Sequence, residues 1–75
     1  MEYKELQIFV KELLKNKGIT QYKLSKLLNI NNGTINKALN SDQKYTNIIS
    51  NIINYLGYSL VIEPKAYFIK EKGRE

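Results

Sequence analysis

The sequence predicts a mainly α fold: a bundle of four to five helices, two of them short and joined by a tight turn, followed by one short β-strand. Three observations predict it. Apolar residues recur at helical spacing through most of residues 6–56. Residues 19–35 carry the same stapling and capping pattern twice. Residues 58–63 are rich in strand formers and are closed by Pro64. A helical part, residues 1–57, is thus followed by a C-terminal strand and tail, residues 58–75. At 75 residues the chain is small. A domain of that size buries only about 60% of the surface its unfolded chain exposes, and pairing with a second copy is a common remedy.

Leu6, Phe9, Val10, Leu13 and Leu14 place an amphipathic helix over about Glu2 to Lys17. Gly18 supplies the left-handed residue that ends it, with Ile19 folding back on Leu13 or Leu14 as in a Schellman cap. Thr20 caps the second helix, Gln21 to Leu28, and Ile19 and Leu24 have the spacing of a hydrophobic staple. That helix is expected to turn Leu24, Leu27 and Leu28 inward. Asn29, which tolerates the left-handed conformation, ends it. Ile30, Asn31 and Ile35 repeat the staple and cap. A third helix then runs over about Asn32 to Asn40, with Ile35, Ala38 and Leu39 facing the core. Two short capped helices joined by about three residues make the unit a helix-turn-helix requires.

Asn40 to Lys44 reads as a polar loop. Ile48, Ile49, Ile52, Ile53 and Leu56 form the stripe of a fourth helix ending at Gly57, a core or dimer seam. Tyr58 to Glu63 is the strand. A lone strand cannot satisfy its backbone. It requires a hairpin partner, for which Tyr67 to Ile69 is the candidate, or the same strand of a second molecule across a dimer axis. In the second case Tyr58, Leu60 and Ile62 are the dimerisation residues.

Absent residue types exclude much chemistry. The chain has no cysteine and no histidine, which removes disulfides, thiolate or imidazole metal sites, and Cys or His catalysis together. No acid–base pair is convincingly placed, so neither a catalytic site, a metal nor a cofactor is expected. Apolar runs stop at four residues and no signal peptide is legible, so the chain is expected to be cytoplasmic, associated with the nucleoid, and without a membrane partner.

The net charge of +5 favours a polyanion, and its distribution is more telling than its size. No acidic residue falls between Leu13 and Ser41, whereas Lys15, Lys17, Lys23, Lys26 and Lys37 all do. A solvated surface normally mixes both signs, so a one-signed stretch suits a phosphate-facing one. Lysine outnumbers arginine eleven to one, a bias of composition shared with abundant Asn, Ile and Tyr.

Residues 18–37 carry Thr20-Gln21, Leu24, Ser25, Asn29, Ile30 and Ile35 in the register of a known family. The segment resembles the helix-turn-helix of lambda-repressor-like, Cro and xenobiotic-response-element regulators. Leu56-Gly57 looks like the Leu-Gly that ends a later helix there, so the likeness covers most of residues 6–57. Asn29 stands where that family usually has Gly, Gly33 where it often has a base-reading side chain, and Leu39 where an acid is usual. The Leu56 to Pro64 segment resembles the end of antitoxins of the HipB or HigA kind, some of which pair a C-terminal strand across the dimer axis. The resemblance implies a homodimeric, sequence-specific regulator of transcription, a repressor by preference, on a pseudopalindromic operator in double-stranded DNA. The alternative is an antitoxin that binds a toxin protein and represses its own operon. A domain of this shape used only for protein contact is a third reading.

In such a complex the third helix enters the major groove with its N-terminal residues on base edges. An Asn amide can donate to adenine N7 and accept from the N6 amino group, which suits Asn32 and Asn36. Lys37 reaches guanine O6 or N7, and the family carry-over favours Asn32 and Lys37, with Thr34 and Asn36 as further base readers. Gln21 would hold a phosphate with its side chain and backbone N–H at a helix N-terminus. Lys23, Asn40 and Lys44 are the other phosphate candidates. Asn31 reads as a cap instead, Lys23 and Lys26 also as ordinary solubilising charge, and Tyr67-Phe68 as packing ahead of base stacking.

Overall fold

Four helices and one hairpin make up the computed structural model, which describes residues 1–72. The helices are α1 (Tyr3–Asn16), α2 (Gln21–Leu28), α3 (Asn32–Asn40) and α4 (Thr46–Tyr55), followed by strands β1 (Tyr58–Glu63) and β2 (Ala66–Glu71). None of the described helices is long and apolar enough to cross a membrane. The end of the expected tail, residues 73–75, lies outside the described residues.

The boundaries of the first three helices follow from local chemistry. In α1, Glu5 accepts the Glu2 N–H at 2.8 Å, closing the first turn. At its other end Gly18 adopts φ +69°, and the Gly18 and Ile19 amides donate to Lys15 O and Leu14 O at 3.1 and 2.9 Å. These are the two bonds of a Schellman cap. The end of α2 repeats them: Asn29 takes φ +54°, and the Asn29 and Ile30 amides donate to Lys26 O and Ser25 O. The Thr20 hydroxyl accepts the Lys23 amide at 3.1 Å, and Asn31 Oδ1 the Gly33 amide at 2.7 Å, so both caps satisfy helix N–H groups without partners.

Each helix turns one apolar stripe into a common core. Leu6, Val10, Leu24, Ile35, Ile49, Ile52 and Ile53 are fully buried. The expected inward face of α2 needs correction, because Leu27 is 46% exposed whereas Ser25 is buried. At about 100° per residue the buried arc centres between Leu24 and Ser25, with Gln21 and Leu28 inside it, leaving Leu27 on the flank. The Ser25 hydroxyl donates to Tyr22 O at 2.6 Å, so the small polar side chain enters the core satisfied.

Asn40 belongs to α3, and the loop runs from Ser41 to Tyr45. Two polar side chains of α1 hold that loop. Gln7, 5% exposed, donates from Nε2 to both Ala38 O and Ser41 O at 2.9 Å, capping the last turn of α3. The buried Tyr3 hydroxyl accepts the Tyr45 amide at 2.8 Å, and burial pushes its pKa above the usual phenol value. Gln7→Leu should therefore destabilise the fold by about 1–3 kcal/mol, since two carbonyls lose a buried donor. Urea denaturation checks this; an unchanged midpoint would make Gln7 dispensable.

In place of one unpaired strand there is a two-stranded antiparallel hairpin. Leu60 faces Ile69, Val61 faces Phe68 and Ile62 faces Tyr67 across a Pro64-Lys65 turn. The partner of β1 is thus the Tyr67–Ile69 segment of the same chain, and no second molecule is needed to pair it. Met1 adds to the other edge, its backbone N and O bonding Tyr67 O and N–H at 2.7 and 2.8 Å. Tyr58, Leu60, Tyr67 and Ile69 pack against the helical core, so helices and hairpin share it.

Candidate nucleic-acid interface

The turn between α2 and α3 is Asn29 to Asn31, and it aims α3 outward. Ile35, Ala38 and Leu39 anchor the inner side of α3, and Ile30 packs beside them. What remains is a polar strip: Asn32, Asn36, Lys37 and Asn40 are exposed and Thr34 half-buried. Gly33 adds no side chain between Asn32 and Asn36, and a Cβ there would meet Asn31 Oδ1 at 2.9 Å, the atom that caps the helix. The glycine in the expected reading position therefore serves the cap.

Neither α2 nor α3 has an acidic residue in its first turn, while α1 carries Glu5 there. The positive ends of the α2 and α3 dipoles consequently meet no acidic side chain in the first turn, an arrangement favourable to anions. At the head of α2, half-buried Gln21 reaches α3, its Nε2 lying 3.4 Å from Asn32 Oδ1. A phosphate candidate and a base candidate are thereby adjacent. Lys23 is exposed two residues further along, still in the first turn of α2. Lys26 sits 5.2 Å from the centre of the exposed Tyr22 ring, a cation–π pair beside a groove that also includes Asn29, Asn31 and Asn32.

Two of the expected phosphate residues sit differently. The Asn40 side chain is already engaged: its Oδ1 accepts from Lys11 Nζ at 3.0 Å, and its Nδ2 donates to Asn36. Lys44 lines a depression with Glu2, Tyr3, Lys4, Glu63, Lys65 and Tyr67, none of which belongs to α2 or α3. Lys11 is the residue that sequence reasoning missed. It lies on α1, and nothing in the spacing of residues 3–16 signals a contact with the end of α3.

Two of the three expected dimerisation residues face inward. The Tyr58 ring meets Phe9 edge-on at 6.3 Å, Leu60 packs on the core, and Ile62 alone is well exposed at 57%. Strand alternation puts Val61 and Phe68 on the opposite, outer face, where they line a shallow groove flanked by Glu63 and Lys70. Tyr58 and Leu60 therefore complete this chain's own core, and a change such as Leu60→Asp tests folding before it tests association. Comparison with family models, curated proteins and solved structures finds no match to this chain.

Proposed function

We propose that this chain binds double-stranded DNA sequence-specifically through α3 and regulates transcription, as a repressor by preference and as a homodimer on an inverted repeat. The observation that carries the reading is the outward strip Asn32, Asn36 and Lys37 on a short anchored helix, inside a stretch without acids from Leu13 to Ser41. A helix presented in this way fits the major groove, where amides and ammonium groups read base edges. The likeness of residues 18–37 to lambda-repressor-like regulators supports the same reading. Gln21 and Lys23 then contact the backbone and set the register.

Selection from a pool of random duplexes tests this directly. A single enriched motif is expected, repeated in inverted orientation with centres about one turn, ~34 Å, apart. Recovery of no motif at low salt would remove the reading. The antitoxin alternative draws on the outer hairpin face, where Phe68 is 46% exposed beside Val61. Apolar side chains on an unpaired sheet face suit a protein partner. A toxin encoded next to this gene that co-purifies with the chain would favour that alternative.

A further inference from the structure

The two outer edges of the hairpin are finished differently. On β2, Tyr67 bonds Met1 with both its N–H and its carbonyl, so these groups point away from β1. Ile62 stands opposite Tyr67, and facing residues of an antiparallel pair direct their backbone groups either toward each other or both apart. Ile62 therefore also points outward. The direction alternates along a strand, so Tyr58, Leu60 and Ile62 all present N–H and C=O on the free edge of β1. Gly57 O, which accepts the Lys72 amide at 3.2 Å, fits the same phase by pointing inward. Along the free edge, none of these three residues has a backbone hydrogen bond among the described residues.

Exposed edges are usually blunted by a charge, a proline or a bulge. On β2, the charged Lys70, Glu71 and Lys72 follow the Met1 contact. Tyr58 to Ile62 carries none of these devices: it is uncharged, rich in strand formers and in unbroken register with β2. Ile62 on this edge is 57% exposed. We infer that β1 pairs antiparallel with β1 of a second copy, Leu60 opposite Leu60, joining two hairpins into one four-stranded sheet. The register follows from the free groups. With Leu60 on the axis, Tyr58 meets Ile62 of the other copy, and all three outward residues of each strand exchange bonds. Moving the axis to Ser59 or Val61 leaves Ile62 or Tyr58 without a strand partner. The Leu60 register also sets Glu63 against Gly57, so no acid faces an acid. A two-stranded hairpin is marginal by itself, and doubling it to four strands on a helical core is the usual remedy. This pairing gives the homodimer an interface, yet it does not rest on the DNA-binding reading, because an open edge pairs without DNA.

Substitution at Ile62 separates this pairing from the hairpin itself. The Ile62 N–H points away from β2, so Ile62→Pro removes an outward donor and spares the bonds within the hairpin, as edge prolines do. Ile62→Lys adds the charge that blunts an edge, at a side chain that one copy leaves exposed. Sedimentation equilibrium without DNA should give a dimer for the wild type. Each variant should raise its dissociation constant at least about tenfold, while circular dichroism shows the helices retained. If Ile62→Pro disturbs the hairpin, Ile62→Lys carries the same comparison. Hydrogen exchange gives a direct readout: the Leu60 and Ile62 amides should slow as protein concentration rises. A wild type that stays monomeric at near-millimolar concentration would overturn the pairing. So would a dimer that both variants leave intact, or one whose Leu60 and Ile62 amides exchange freely. Those results leave DNA binding by α3 standing, whereas an intact dimer that enriches no duplex would remove the DNA-binding reading and keep the pairing.

Discussion

Ile35→Ala is expected to remove about 2–5 kcal/mol of stability, whereas Leu27→Ala should change it by less than about 1 kcal/mol. Both residues belong to the stapled helix pair, and both were expected inside from spacing alone. Ile35 is fully buried, while Leu27 is 46% exposed. Truncating Ile35 leaves a cavity beneath α3 and also removes the partner of Ile30 in the staple. A domain of this length has a total stability of about 4–11 kcal/mol, so the loss is a large fraction of the whole. The melting temperature should drop by roughly 10–40 °C for Ile35→Ala. Leu27→Ala trades an exposed apolar side chain for the best helix former. Differential scanning calorimetry of both variants checks the pair. Equal losses would mean that α2 is rotated toward the face expected from its leucines.

The contrast between those residues shows what was legible in advance. The C-terminal end of α1, both ends of α2 and the start of α3 depend on Gly18, Thr20, Asn29 and Asn31, whose effects act within a few residues and so can be read locally. The outward strip of α3 is legible for a similar reason: Ile35, Ala38 and Leu39 mark the inner side, and the helical period puts Asn32, Asn36 and Lys37 opposite. Which arc of α2 faces the core is a different kind of question. With eight residues and three leucines, the choice between Leu27 and Ser25 is made by where α1 and α3 lie, not by α2 itself. The hairpin poses the same difficulty. Alternation divides β1 into Tyr58, Leu60 and Ile62 against Ser59, Val61 and Glu63, and both sets contain apolar residues. The packing of Tyr58 and Leu60 on the helical core, with Phe9 edge-on to Tyr58, decides which set turns inward. The contact of Lys11 with Asn40 joins residues 29 apart in sequence, beyond any local pattern.

Salt should weaken DNA binding steeply, and its slope separates the lysines by role. Three of them, Lys23, Lys26 and Lys37, lie exposed on α2 and α3. If each neutralises one phosphate or displaces its counterion, the affinity of one protomer should fall roughly fortyfold between 50 and 200 mM salt. Two protomers on an inverted repeat would square that factor. Lys23→Ala removes a charge at the start of α2, where no base is within reach of the proposed pose. It should weaken every sequence alike and make the logarithmic slope shallower by about 1. Lys37→Ala removes a proposed base contact and should cost roughly 1–3 kcal/mol on the selected operator, with preference relaxed at a single position. The two variants therefore differ in kind, not only in degree. Gel-shift titrations across that salt range with operator and scrambled duplexes measure both slope and preference. A flat salt response by the wild type would refute the electrostatic account of the acid-free surface. A Lys37→Ala variant that weakens operator and scrambled DNA equally would instead move Lys37 from the bases to the backbone.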